Sequence, residues 1–347
     1  MRSVFGALAA LILNVTALSC ALSGCAPSAG SGTPARPASQ PDSSPPAGRP
    51  AITSWLYQLQ NYPGGRLDAL ARAPQPLAVI DLARDAGPSY FRRSEIENLR
   101  RSGKTVLAYF EIGSIESFRP EYGPLRRQAR DLILNRWNEW PDEYFVRYWE
   151  ERWWTDVIRP RVDQALRAGF DGVYLDTPLA YEEVDLSMVP GSSRDSLAHA
   201  MVNLIVRISH YAKARHSGFW IVPQNSPELR AYPGYVPAID GIGMEELFFQ
   251  ATDRPCVEDY CAENLANTRA LRDAGKVVLA VDYASRPRNI RIACRRYAKE
   301  HFAGNVTVVG LDQIKPPCPE IGDSLWRAHI LHHLHLQSLS PPAERYE

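Results

Sequence analysis

From residue 51 onward, short runs of apolar residues alternate with longer stretches in which apolar positions recur every three or four residues. That switching between period two and period 3.6 is the pattern of strands followed by crossover helices. Eight runs read as strands, at 54–58, 77–81, 105–111, 172–176, 220–223, 241–245, 277–282 and 306–311. Helical patterns lie between them, notably at 94–102, 124–136, 150–168, 196–215, 263–274 and 288–301. Gly103, Gly169, Gly218, Gly275 and Gly304 stand where a helix has to stop before the next strand, a position that suits glycine because it accepts positive φ. Eight strand-helix units in succession predict an α/β protein built as a single (β/α)8 barrel of TIM type over residues 51–340. An open doubly wound sheet shares the alternation, but no Gly-x-Gly-x-x-Gly follows the first strand and no Walker loop occurs.

The segment before the barrel is of a different kind. Arg2 is followed by an apolar run over residues 4–18 and by Leu22-Ser-Gly-Cys25, which resembles a bacterial lipobox. The run is too short for an ordinary membrane span and reads as a targeting segment. Residues 1–24 are therefore expected to be a lipoprotein signal peptide, with Cys25 the lipid-modified first residue; a plain cleaved signal peptide is the alternative, and both imply export. Residues 25–50, rich in Pro, Ser, Ala and Gly, read as a disordered tether. The expected location is extracytoplasmic, anchored by lipid to a bacterial membrane on the periplasmic side or at the cell surface. Beyond Cys25 the cysteines are Cys256, Cys261, Cys294 and Cys318, an even set that in an oxidising compartment favours two disulfides. The preferred pairs are Cys256–Cys261, closing a small loop after a strand, and Cys294–Cys318, pinning the final segment; the spacing lacks the close thiolate pairs of a zinc ribbon.

Composition narrows the function. Thirty-nine basic and 39 acidic residues balance over 347 positions, so the chain lacks the positive field that nucleic acid requires. Sixteen Tyr and eight Trp supply flat amphipathic rings that suit sugar faces and serve equally as core filling. Trp137, Trp140, Tyr144, Tyr148, Trp149, Trp153 and Trp154 crowd one region, where helical spacing favours burial of Trp149, Trp153 and Trp154. His329, His332, His333 and His335 could chelate a metal from one helix face, but no carboxylate or cysteine completes a set. No metal or cofactor is expected, and neither a nucleophile-elbow serine nor His-Glu-x-x-His is present.

The chemistry collects at strand ends. Phe170-Asp-Gly-Val-Tyr-Leu-Asp176 and Ile239-Asp-Gly-Ile-Gly-Met-Glu245 each run from Asp-Gly through apolar residues to a carboxylate. Side chains alternate in a strand, so Asp176 shares a face with Tyr174 and Gly172, and Glu245 with Gly243 and Gly241. Asp81, Glu111 and Asp282 end further strands, and Gln224-Asn225 follows another. Acids gathered at one barrel end repel one another and cost stability when unpaired; Asp81 and Asp282 read equally well as caps or ion-pair partners. Sites of β/α barrels lie at the carboxyl ends of the strands, and a paired acid and base is the minimum equipment of a glycosidase.

An ordered set of motifs carries a family resemblance. Trp55-Leu-Tyr-Gln-Leu59, Leu77-Ala-Val-Ile-Asp81, Val106-Leu-Ala-Tyr-Phe-Glu-Ile-Gly113 with Glu116 and Arg119, Gly169 to Asp176, Pro223-Gln-Asn225, Met244-Glu-Glu246 and Val281-Asp-Tyr283 resemble the endo-α-1,4-polygalactosaminidases, glycoside hydrolase family 114. The likeness spans residues 51–315. It implies a β/α-barrel hydrolase that cleaves α-1,4 linkages in galactosamine-containing exopolysaccharide, with Asp176 and Glu245 matching the catalytic pair. Substrate contacts are then expected from Asp81, Tyr109, Glu111, Glu116, Arg119, Tyr174, Gln224, Asn225, Glu246, Asp282 and Tyr283. Two departures stand out: Glu246 directly follows Glu245, and Glu111 occupies a position where relatives often carry a small or polar residue. The residues themselves favour an ionised Asp176 beside Tyr174 and a Glu245 kept protonated by the charge of Glu246 or Asp282, although separation and environment decide the roles and allow their exchange. Surplus carboxylates would pair with ammonium groups on the sugar. A monomer with a polysaccharide substrate is expected; the alternatives are a catalytically silent carbohydrate-binding lipoprotein and a glycosidase for another α-glycan.

Overall fold

The computed structural model describes residues 52–319, so the expected signal peptide, Cys25, the tether and the histidines at 329–335 lie outside the described residues. Eight strands carry the fold: β1 Trp55–Tyr57, β2 Leu77–Asp81, β3 Thr105–Glu111, β4 Gly172–Asp176, β5 Trp220–Pro223, β6 Gly241–Glu245, β7 Val277–Tyr283 and β8 Ala303–Thr307. Their sequences are apolar on both faces because one face meets the barrel interior and the other meets helices. β1 to β5 pair in parallel as one arc and β6 to β8 as another. Parallel bridges close the ring, Gln224 with Gly243 between β5 and β6 and Ser54 with Gly304 between β8 and β1. Main-chain bonds run across both seams, Asn225 N–H to Gly243 O at 2.7 Å and Gly304 N–H to Thr53 O at 3.2 Å. The chain is a (β/α)8 barrel.

Among the described residues each connection between successive strands carries a helix: α1 Asp68–Arg72, α2 Arg93–Arg101, α3 Arg159–Ala168, α4 Arg194–Lys213, α5 Tyr235–Ala238, α6 Asp259–Asp273 and α7 Pro287–Glu300, with shorter helical turns beside some of them. Gly103, Gly169 and Gly275 follow α2, α3 and α6 with φ of 90°, 85° and 81°, as their placement suggested. Gly304 does something else. It lies inside β8, where a Cβ would collide with the ring of Tyr297, and the left-handed stop of α7 is His301, φ 56°. Reading Gly304 as a helix stop therefore moved the last strand to 306–311, three residues beyond its place.

The β3–β4 connection also departs from the sequence pattern. Helix spans only Tyr122–Gln128 of the expected 124–136, and Ile133–Arg136 is instead a strand. It pairs with Glu143–Val146, which in turn pairs with Ser114–Glu116 in a small antiparallel sheet. Cross-strand partners and burial of Leu132 (0%) and Leu134 (6%) outweigh helix propensity there. The stretch 150–168 is helical but widens by a π-turn over Trp154–Ile158. Trp153 and Trp154 are both buried there, and Trp153 Nε1–H donates to Ile112 O at 2.9 Å.

Two apolar layers follow from strand alternation. Val173, Leu175, Ile242 and Met244 join the shell beneath the helices. Trp55, Tyr57, Leu77, Val79, Leu107, Tyr109, Tyr174, Val222, Leu279, Val281 and Tyr283 fill the interior. Four tyrosines in an interior that branched aliphatics usually fill need partners for their hydroxyls. Both expected disulfides are present, Cys256–Cys261 and Cys294–Cys318, the latter joining α7 to the segment after β8.

Candidate active site

Strand register brings the expected acids to one end of the barrel. Glu111 on β3 stands beside Asp176 on β4, and Glu245 on β6 beside Val281, one residue before Asp282 on β7. The five strand-end acids then divide into two groups. Asp81, Glu111 and Asp282 are buried, at 2%, 1% and 0% exposure, while Asp176 and Glu245 remain partly accessible.

The buried three are held by partners within the fold. Arg119 reaches Asp81 at 2.9 Å, Glu111 at 3.1 Å and Glu116 at 2.6 Å. Arg161, on α3, adds bonds to the Glu111 carboxylate at 3.2 Å and to its carbonyl at 2.9 Å. Asp282 accepts the main-chain N–H groups of Phe248 and Phe249 at 2.7 and 2.6 Å and the Tyr297 hydroxyl. It holds the loop after β6 in place. Its charge acts on Glu246, which turns back to accept the Ala251 N–H at 2.6 Å and is raised mainly by burial. Asp81, Glu111 and Asp282 thus build the walls, and of the other expected contacts Glu116, Asn225 and Glu246 are open to solvent in part.

No cation pairs with Asp176 or Glu245 among the described residues; neutral donors hold both. The Tyr109 hydroxyl donates to Asp176 Oδ2, and the Thr177 N–H to Oδ1 at 2.7 Å. Tyr174, the expected neighbour, points its hydroxyl against Gly243 without a hydrogen-bond partner. Glu245 accepts the side-chain amides of Gln224 and Asn225, the latter at 3.1 Å, and the Tyr283 hydroxyl. Tyr57 O–H to Gln224 Oε1, 2.7 Å, fixes which end of that amide faces the acid. Thr177, Asn225 and Glu246, directly after β4 and β6 and near the end of β5, have φ of 59°, 61° and 57°. Left-handed backbone at non-glycine residues costs on the order of 1–3 kcal/mol each and clusters at functional sites.

The electrostatics couple the two acids. Burial, and after it the charge of Glu245, pushes Asp176 up to about 7. Glu245 is also raised by burial, an effect opposed by its Tyr283 and Asn225 donors. Both acids thus hold a proton more tightly than a free carboxyl does, and their coupling suits an acid/base division of labour. Donors favour the ionised form of both acids, Tyr109 and Thr177 at Asp176 and Tyr283, Asn225 and Gln224 at Glu245. Only β5 separates β4 from β6, so their backbones stand about 10 Å apart, leaving inward carboxyls room to flank one glycosidic bond.

Sequence reasoning passed over Tyr57, Thr177, Ser114, Glu143 and Arg161. Tyr57 lies within a motif already singled out, and Thr177 directly follows Asp176; the others are joined to the site only by the fold. Of the aromatic run, Tyr148, Trp153 and Trp154 are core, whereas Trp140 is 51% exposed. The one potential metal cluster among the described residues is Cys256, Glu258 and Cys261, and its two thiols are joined in a disulfide.

Comparison with known proteins adds four findings. The sequence profile of glycoside-hydrolase family GH114 matches residues 32–321. An uncharacterized protein of Deinococcus radiodurans is 32% identical over 299 residues, 83% of this chain and 93% of its own length. The glycoside hydrolase domain of PelA from Pseudomonas aeruginosa superposes with a TM-score of 0.60 at 16% identity, over 76% of this chain and 97% of that one. Aspergillus fumigatus Ega3, solved in complex with galactosamine, gives 0.59 at 18% identity over 79% and 99%. At these identities the two structures share the fold.

Proposed function

The chain belongs to glycoside-hydrolase family GH114, and on that premise we propose that its barrel mouth cleaves α-1,4 linkages within galactosamine-containing polysaccharide, with Asp176 and Glu245 as the working acids. The observation that carries this reading is the division among the strand-end carboxylates: three are sealed and held by partners within the fold, and these two are open in part, unpaired with any cation among the described residues and electrostatically coupled. One carboxyl group gives its proton to the glycosidic oxygen as the bond to the anomeric carbon breaks. The other, ionised, either attacks that carbon or takes a proton from the attacking water. Tyr109, Gln224, Asn225 and Tyr283 hold the two groups still while the charge moves between them.

Support for an amino-sugar substrate comes from charge. Glu116 and Glu246 add partly exposed carboxylates near the same mouth, and each is raised by burial and by neighbouring acids. Ammonium groups on a deacetylated sugar would relieve that repulsion. The galactosamine bound to Ega3, a protein of the same fold, agrees with this chemistry. Purified protein is expected to release new reducing ends from partially deacetylated galactosamine polymer. Retention of the polymer with no shortening would favour a silent binding protein, and cleavage confined to another member of an α-glycan panel would replace the substrate.

The location is part of the proposal. Leu22-Ser-Gly-Cys25 supports lipid anchoring outside the cytoplasm, with the barrel reaching its polymer through the tether at 25–50. Cys25→Ser is expected to move the protein from the membrane fraction to the soluble one, and unchanged fractionation would refute the anchor.

A further inference from the structure

Behind Asp176 lies a third carboxyl group that the catalytic pair does not use. Glu143 comes from the small antiparallel sheet in the β3–β4 connection, where it is paired in register with Glu116. It is 7% exposed, and no cation bonds to it among the described residues. Its Oε1 contacts Ser114 Oγ, and Ser114 Oγ lies 2.9 Å from Thr177 Oγ1. Thr177 Oγ1 accepts the Gly113 N–H at 3.0 Å and lies 2.8 Å from the Asp176 carbonyl oxygen, while the Thr177 N–H bonds the Asp176 carboxylate at 2.7 Å.

A hydroxyl has one proton to give and two lone pairs, so this chain can run in two directions: Thr177 gives its proton to the Asp176 carbonyl and Ser114 accepts from a protonated Glu143, or Thr177 gives to Ser114 and Ser114 donates to an ionised Glu143. The setting separates the two. Glu143 is buried with no cation bonded to it among the described residues and has Asp176, Glu111 and Glu116 around it, which favours the protonated form. We infer that Glu143 is protonated at neutral pH and acts as a positioning residue, fixing through Ser114 and Thr177 the left-handed turn that aims Asp176, while adding no charge beside it.

The surroundings favour that state. Glu143 is pushed up to about 9 by burial first and then by the charge of Asp176, with Glu111 and Glu116 adding to the effect and the Ser114 contact opposing it. Those acids face it from β4, from β3 and from its own sheet, and Arg119 and Arg161 are bonded to other carboxylates. An ionised Glu143 would set a further buried negative charge against Asp176 with a single hydroxyl to stabilise it.

The positioning role rests on the proposed working role of Asp176; the proton on Glu143 does not. The test therefore begins without substrate. Infrared difference spectra between the full wild-type chain and Glu143→Gln, both with carbon-13 glutamate, are expected at neutral pH to lose one protonated-carboxyl stretch. Loss of a carboxylate band instead would overturn the inference. Kinetics on galactosamine polymer then test the positioning. Glu143→Gln, whose amide still hydrogen-bonds Ser114, should keep kcat within roughly threefold, whereas Glu143→Leu should lower kcat about 10- to 100-fold with little change in KM. Equal kcat in the two variants would overturn the positioning role. An inert wild type would sink the proposed function and leave the infrared result to decide the protonation.

Discussion

Asp176→Asn and Glu245→Gln are each expected to lower kcat on galactosamine polymer by about 10³- to 10⁴-fold without unfolding the barrel. The stability half of this expectation follows from linkage. Both acids are raised in the folded state, Asp176 to about 7, so between their unfolded values and those raised values the folded chain binds more protons than the unfolded one. Stability associated with these groups is present at low pH and is lost as pH rises through that window. A neutral amide escapes the loss, so each variant should melt no lower than the wild type at pH 7 and above. A drop in turnover accompanied by a drop in melting temperature would point to a structural role. Rescue separates the assignments: added azide should restore turnover in the variant that lacks the nucleophile or base, and an activated leaving group in the variant that lacks the acid.

Arg119→Leu is expected to destabilise the protein by about 3–5 kcal/mol, because removing one partner of a buried ion cluster leaves charge without compensation. The cluster holds Asp81 and Glu111 at 2% and 1% exposure, together with Glu116. Asp81 is already raised by burial with Arg119 in place, and losing that cation moves it further the same way. The deficit should therefore be largest at alkaline pH and shrink as acid protonates the stranded carboxyls. Arg66→Ala is the control. Its partner Asp68 is 57% exposed and its own side chain 76%, so screening leaves that pair worth about 0–1 kcal/mol. Urea denaturation midpoints at pH 8 measure both, and an Arg119→Leu variant as stable as Arg66→Ala would contradict the neutralising role.

Much of this architecture is written locally. Strands buried on both faces stand out as short apolar runs, and alternation correctly puts Asp176 with Tyr174 and Gly172, away from Val173 and Leu175. Where the reading failed, a tertiary contact had overruled a local signal. Gly304 looked like a helix stop but makes room for the Tyr297 ring, and 133–136 looked helical until Glu143–Val146 supplied a strand partner.

The site divides in the same way. Acids at strand ends were visible, but which of them would be silenced was not, because Arg161 is far from Glu111 in sequence and meets it only when α3 packs on the barrel. Nor could the sequence choose Tyr109 over Tyr174 as the donor to Asp176. Both tyrosines face inward on adjacent strands, and the clearance at Gly243 decides which hydroxyl turns toward the acid.

The most direct test is a crystal structure of Asp176→Asn with a galactosamine oligosaccharide bound. The expected electron density places one glycosidic oxygen between residue 176 and Glu245, above the ring of tyrosines 57, 109, 174 and 283. An oligosaccharide seated elsewhere on the molecule, or bound at the mouth with neither residue beside a linkage oxygen, would contradict the account.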